Sequence, residues 1–496
     1  MAERTKIEKF YSLWIFEQEK LINSYVYDTT GNPNPTRHKF FDYVLLLEKF
    51  LRDEIDEIEK INILSGIRGV GKTTLLGQLY FAPKFIPKSQ QSDFPKIFEG
   101  DYQKLYLDVS RLSAEGIELN EFFNFYQEIN DFRLVDMKKK FILLLDEIHY
   151  DEKWGLFLKV LFDATKGHKN LLVIATGSSA LKLKMNPDLS RRSLSEEIYP
   201  LKFNEFCILK GLSPPERNLS DKLVESVLFS KDAGELYNTL NDSSLEITRY
   251  FLKLPPGIEE EFFYYGGFPF VLQLKNKRAL IYELISGVMD KLITKDILEM
   301  KKFSSETISK IKDLLYLIAS SDTTNFDKLG KVLKLDYRSV RGIVDALIQS
   351  GVLIEVKSYG QKFTQIRKPI KFLFVSPSLR AGILNGIIPP GIKGKFLEDY
   401  IALIFMNDFR RKILVYPEIE LMYDSSANGA DFIIRNEKKK IIIEVGFGDK
   451  AEGLTQVKNT AKNIGDFDYG IIISLDNKLE IFDNIVKMPL RFWLMI

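Results

Sequence analysis

Residues 61–76, INILSGIRGVGKTTLL, contain Gly66-x4-Gly71-Lys72-Thr73, a complete phosphate-binding loop. An apolar run precedes it and TTLLGQLYF, a helical pattern, follows it. Gly66, Gly69 and Gly71 let the backbone curl until its N–H groups face phosphate oxygens. The helix behind them points its positive end at the same anion. The expected cradle is Gly66, Arg68, Gly69, Val70, Gly71, Lys72, Thr73 and Thr74. In it Lys72 reaches the terminal phosphates and the Thr73 hydroxyl ligates Mg²⁺.

The carboxylates that such a loop needs stand in KKKFILLLDEIHYDEKW. Phe141–Leu145 reads as a strand buried on both faces, as in a parallel sheet. Asp146 and Glu147 follow at its C-terminal end, where open α/β sheets bind ligands. Asp146 is expected to hold Mg²⁺ and Glu147 to orient and deprotonate water. Asp-Glu-x-His is also a helicase box. No arginine-rich second motor follows, so His149 is expected to be a loop or helix-start residue. NLLVIATGSSALKL adds a strand ending at Thr176-Gly177-Ser178-Ser179. Thr176 and Ser178 are candidates for the terminal phosphate or the attacking water, and Ser178 or Ser179 is equally suited to capping a helix. KLYLDVS supplies a further strand of an alternating α/β layer.

These elements belong to a long chain. Its 496 residues exceed one ordinary core and imply about two to four domains. The composition, 45% hydrophobic and 28% charged, is that of a folded protein without low-complexity tracts. A net charge of +2 gives no global attraction to nucleic acid, so any basic surface must be local. One cysteine, Cys207, excludes an internal disulfide framework and a Cys-cluster zinc site, and His38, His149 and His168 are too few for a His-rich metal site. The N-terminal stretch has no signal-peptide core and no run reaches about 18 apolar residues, so the expected place is the cytoplasm, with no membrane partner.

The stretches SGIRGVGKTTLL, LLLDEIHYDEKWGLFLKVLFD, VIATGSSALKL and LSRRSLSEEIYPLKFNEF resemble prokaryotic, especially archaeal, ATPases of the AAA+ superfamily. Trp154 after the acidic pair, Tyr199-Pro200-Leu201, Glu205-Phe206, Gly266–Pro269 and Lys295–Ile297 extend the likeness from about residue 40 onward. The resemblance implies an α/β fold: a P-loop NTPase parallel sheet with a helical lid, then a winged helix and a mixed α/β restriction-endonuclease-like domain. The expected divisions are an N-terminal helical segment (1–40), ATPase core (41–210), lid or connector (211–303), winged helix (304–360) and nuclease-like domain (361–496). The choice of ATP over GTP rests on this resemblance. Where the family has Gly-Arg, this chain has Ser190-Arg191-Arg192. Arg191 or Arg192 is the candidate transition-state cation; acting from a neighbour, it would require a homo-oligomer.

Residues 304–360 read as helices followed by a strand pair, a helix-turn-helix with a wing. Tyr337, Arg338 and Arg341 lead its second helix, and Lys328, Lys331 and Lys334 flank it. DNA contact, mainly to the backbone, and packing on a protein are both open.

In the tail, GADFIIR and KKIIIEVGFG place an acidic residue before one strand and Glu444 near the end of the next. In the resembled nuclease fold Glu398, Asp431 and Glu444 would converge on one divalent ion. A lysine two residues after Glu444 would share its face of the strand, but the chain has Gly446 there. Lys450 and Gln456 are the nearest polar substitutes. The expected function is Mg²⁺-dependent ATP binding and hydrolysis, acting on or with DNA. The alternatives are an ATP-switched DNA- or protein-binding module with negligible turnover, or an ATP-gated nuclease.

Overall fold

A computed structural model describes the chain except residues 1, 87–97, 178–188, 190, 217, 275–276, 299–302, 322–325, 361–368, 390–392, 410–418, 437–438 and 447–449. It divides into two compact units, Met1–Ile198 and Tyr199–Ile496. The fold class is α/β, with a parallel five-stranded sheet typical of P-loop NTPases and a mixed sheet in the C-terminal part. Among the described residues, no helix is long and apolar enough to cross a membrane.

In the first unit β1 (Ile61–Ser65), β2 (Tyr102–Asp108), β3 (Lys140–Asp146), β4 (Leu171–Gly177) and β5 (Leu194–Glu197) form one sheet in the order β2-β3-β4-β1-β5. All four pairings are parallel. Every residue of β1 and β4, and all of β3 after Lys140, is buried. This is why these strands are continuous apolar runs rather than alternating ones. Their register sets the site. Leu64 lies beside Thr176, Leu145 beside Ala175 and Asp108 beside Asp146, so the carboxyl ends of β1, β3 and β4 are level. β4 separates the strand before the loop from the strand carrying Asp146.

The helix Ala2–Val26 is bound to this layer by specific contacts. The Trp14 indole N–H donates to the Tyr106 carbonyl of β2 at 2.7 Å, and the two rings stack at 6.0 Å. Ile22 and Val26 pass so close to Gly77 of the helix Lys72–Tyr80 that a Cβ there would lie 2.7 Å from a Val26 methyl.

The second unit begins with helices, among them Leu219–Phe229, Ala233–Leu252, Ile258–Tyr265 and Arg278–Lys291. An aromatic core of Phe203, Phe251, Phe262 and Tyr400 joins them to the helix Lys393–Ile404. The helices Phe326–Leu333 and Tyr337–Gln349 then lead into β6 (Leu353–Ser358), which pairs antiparallel with β7 (Lys371–Phe374). β6 also pairs in parallel with β8 (Glu420–Tyr423). The remaining strands are β9 (Phe432–Arg435), β10 (Lys440–Gly446), β11 (Tyr469–Ser474), β12 (Glu480–Phe482) and β13 (Ile485–Pro489). The eight strands form one sheet in the order β12-β13-β11-β10-β9-β8-β6-β7. Thus the hairpin that follows the helix pair is continuous with the C-terminal sheet, and its pairing crosses residue 360. Most of the expected strand KILVYPEIEL lies outside the described residues; β8 begins at Glu420.

A buried ion pair fastens the helical and sheet parts of this unit. Arg380 grips Asp399 through two bonds of 2.6 and 2.8 Å and donates to the Ala319 carbonyl at 2.8 Å. Asp399 also accepts from the Phe374 N–H at 2.9 Å. One guanidinium and one carboxylate therefore tie three helices, Ile311–Ser320, Pro377–Ile383 and Lys393–Ile404, to β7.

Candidate functional site

The loop after β1 adopts the curl that its glycines allow. Gly69 and Gly71 have φ of 85° and 94°, the left-handed region that costs glycine little. Gly66 is pressed on the Ile198 carbonyl, and a side chain there would clash with backbone. Arg37 braces the loop by donating to the Val70 carbonyl at 2.8 Å, and Arg68 reaches the Tyr150 hydroxyl at 3.5 Å. Lys72 and Thr73 open the following helix, with Thr74 behind them. The Lys72 ammonium folds over its own loop, donating to the Gly66 and Ile67 carbonyls at 2.7 and 3.1 Å.

Asp146 faces this loop from the end of β3. Three hydroxyls donate to its carboxylate: Thr176 to Oδ1, Tyr106 to Oδ2 at 3.1 Å, and Thr73 from the loop helix. Burial, and then the neighbouring Glu147, push its pKa up to about 6 against the pull of Thr176 and Thr73. The group is a buried anion that accepts from three neutral hydroxyls, a setting that favours a cation. Thr73 and Asp146 supply hard oxygen donors, a set that fits Mg²⁺.

Glu147 takes a left-handed conformation, φ 51°, uncommon outside glycine and asparagine. Its N–H donates to the Thr176 hydroxyl at 3.2 Å. Thr176 is therefore a bracket, donating to one carboxylate residue and accepting from the backbone of the next. It stands at the site as expected, but its hydroxyl is committed within the protein rather than turned to a phosphate. Glu147 Oε2 lies 3.4 Å from His149 Nε2. His149 is buried and its ring lies against Tyr150, centroids 4.8 Å apart. His149 lies in the short helical turn Ile148–Tyr150; the expectation of a loop or helix-start residue does not include this contact, which needs the turn geometry to appear.

The other expected residues separate. Ser178 lies outside the described residues. Arg191 is exposed, and Arg192 pairs with Asp163 at 3.2 Å, on the helix Trp154–Ala164. In the second unit Lys331, Lys334 and Arg338 are exposed at the turn and at the start of the second helix. Arg341 instead pairs with Asp345 at 2.9 Å and stacks over Phe326.

Glu398, Asp431 and Glu444 do come together. Asp431 precedes β9, and its N–H donates to Glu444 Oε2 at 3.1 Å; the Val445 N–H of β10 returns a bond to Asp431 Oδ2 at 3.2 Å. Glu398 arrives from the helix Lys393–Ile404. A lysine is present too, from an unexpected place. Lys371, the first residue of β7, sets its ammonium 2.6 Å from Glu398 Oε2 and 3.0 Å from Asp431 Oδ1. Burial would raise Glu398, but Lys371 and then Lys395 override it and hold the carboxyl down at about 2. Glu444 is pushed up to about 9 by burial and then by Asp431. The Lys450 side chain lies outside the described residues.

The uncharacterized protein MJ1637 of Methanocaldococcus jannaschii is 30% identical over 466 residues, covering 92% of this chain and 89% of that protein. The chain belongs to its family. An uncharacterized protein of Haemophilus influenzae is 24% identical over 435 residues, 84% of this chain and 92% of that one. Residues 58–207 match the model of an AAA domain, and residues 259–387 match a domain of unknown function. Among solved structures, a Walker-type ATPase of Pyrococcus abyssi is similar with a TM-score of 0.39 and 16% identity, over 71% of this chain and 98% of that one. DnaA from Aquifex aeolicus, bound to AMPPCP, is similar with a TM-score of 0.24 and 16% identity, over 62% and 87%. This family member thus carries an AAA-type P-loop ATPase fold, a nucleotide-binding fold.

Proposed function

We propose that the protein is a Mg²⁺-dependent ATPase. The observation that carries this reading is the Asp146 carboxylate, buried, accepting from neutral hydroxyls, and bonded to Thr73 at the start of the loop helix. In this reading the loop N–H groups from Gly66 to Thr74 cradle the phosphates, and Lys72 leaves the Gly66 and Ile67 carbonyls to meet the terminal ones. Thr73 and Asp146 would hold Mg²⁺, which would supply charge neutralisation on the phosphates when bound. Glu147 takes the proton of the attacking water; Thr176 holds its backbone N–H, and His149 lies beside its carboxylate. Arg191, exposed beside β5, is the better placed of the two arginines to reach a neighbouring copy in a homo-oligomer.

The same proposal assigns the second unit a part in handling DNA in the cytoplasm. Its helix pair with the β6–β7 hairpin has the order of a winged helix, and exposed Lys331, Lys334 and Arg338 suit phosphate contacts. In this reading the C-terminal sheet with its three carboxylates is a restriction-endonuclease-like domain. Phosphate release from ATP, measured with and without Mg²⁺ and with added duplex DNA, single strand or RNA, tests this. The expected result is metal-dependent release, lost in Lys72→Ala and faster with duplex DNA. Nucleotide binding without release would leave a switched binding module instead.

A further inference from the structure

We propose that Lys371 is a built-in counter-cation that takes the place of a divalent metal ion among Glu398, Asp431 and Glu444. The inference rests on the geometry of the second unit and not on the ATPase reading.

The ammonium has three hydrogens, and the site offers it three acceptors: Glu398 Oε2 at 2.6 Å, Asp431 Oδ1 at 3.0 Å and the Asp431 carbonyl at 3.3 Å. Three of the four carboxylate oxygens left over also meet donors. Lys395 lies 2.9 and 3.1 Å from the two oxygens of Glu398. The Val445 N–H covers Asp431 Oδ2, and the Asp431 N–H covers Glu444 Oε2. A metal site of hard oxygen ligands needs lone pairs turned toward a common point. Here those lone pairs are turned toward two ammonium groups and two backbone N–H groups. Among the described residues, no group of three or more His, Cys, Asp or Glu side chains is arranged to hold a metal ion.

Lys371 is also held where it is. Its side chain is 10% exposed, with the Phe432 ring 4.7 Å and the Tyr423 ring 5.8 Å from the ammonium. Aromatic faces favour a desolvated cation. A divalent ion entering the cluster would face this ammonium at close range, or force it out of two ion pairs and off two rings. Gly446 fits the same picture. The β10 position that would carry a lysine is bare, and the positive charge comes from β7 instead. Glu398 and Asp431 are thus retained as the anionic half of an internal ion-pair cluster.

The test uses the full-length protein without nucleotide, in an Asp146→Asn background that removes the other metal ligand. Mn²⁺ binding is followed by the loss of free-ion electron paramagnetic resonance signal, and unfolding temperature is measured in EDTA and in Mn²⁺. The expected result is no Mn²⁺ bound at millimolar concentration and the same unfolding temperature in both media. Lys371→Met should unfold several degrees lower in EDTA, bind Mn²⁺ and regain part of the loss. Asp431→Asn added to it should abolish that recovery. Mn²⁺ bound by the Lys371 protein and released by Asp431→Asn would overturn the proposal. So would a Lys371→Met protein that keeps its unfolding temperature or gains no Mn²⁺. Should Lys371→Met not fold, the first comparison decides alone: an unmutated cluster indifferent to Mn²⁺ supports the counter-cation, and one that binds it refutes it.

Discussion

Two sets of buried carboxylates sit in this chain, and they differ in what faces them. Asp146 is met by the hydroxyls of Thr73, Tyr106 and Thr176. Glu398 and Asp431 are met by the ammonium of Lys371, and Glu398 by Lys395 as well. Hydroxyls orient an anion and leave its charge available to a cation that comes and goes with a nucleotide. Ammonium groups cancel the charge and leave nothing for a ligand to complete. Similar residue types thus give a poised site in one unit and a sealed one in the other. Acidic clusters are told apart by their partners, not by their count.

The contrast predicts that removing a cation from the second unit costs more than removing a hydroxyl from the first. The largest loss is expected for Arg380→Ala, which strands the buried Asp399 carboxylate and frees the Ala319 carbonyl. About 3–5 kcal/mol of stability should go, read from denaturant unfolding of the second unit. Lys72→Ala should weaken nucleotide binding by roughly a hundredfold, as loss of a charged phosphate contact does. A fluorescent ATP analogue measures it, and unchanged affinity would break the poised-site half of the comparison. Thr176→Val keeps the shape but removes the bracket between Asp146 and the Glu147 N–H. It should cost about 1–3 kcal/mol, less than Arg380→Ala, with a slower turnover. A pH dependence at Glu444 tests the other half of the comparison. Folding raises its pKa from 4.5 to about 9, so the folded chain keeps a proton that the unfolded chain releases. Stability on this account falls as pH rises from 4.5 toward about 9. Glu444→Gln has no such proton, so its unfolding temperature should gain on the unmutated protein across that window. A constant difference would place Glu444 in a solvated setting and weaken the sealed-site half.

The first site was nearly all legible in the sequence, because its parts are local. Gly66 to Thr74 lie in one turn and a helix start, Asp146 and Glu147 end one strand, and continuous apolar runs mark β1, β3 and β4 as central. What was not legible depends on which strands are neighbours. The Tyr106 hydroxyl meets Asp146 only because β2 lies beside β3, and Thr176 brackets two residues only because β4 does. His149 meets Glu147 through a left-handed turn that no propensity dictates. In the second unit the sequence brought out the three carboxylates and the bare Gly446, but not the lysine that answers them. Lys371 belongs to a strand three places from β9 in the sheet, and its reach is set by the packing of Phe432 and Tyr423. The pairing of β6 with both β7 and β8 was hidden for the same reason.

The most direct measurement is phosphate release by Glu147→Gln beside its nucleotide affinity. As general base, Glu147 should matter for turnover and not for binding. ATP should bind as tightly as to the unmutated protein, while release slows by about a hundredfold or more. A Glu147→Gln protein that binds ATP and releases phosphate at the unmutated rate would contradict a water-activating role for the residue beside Asp146.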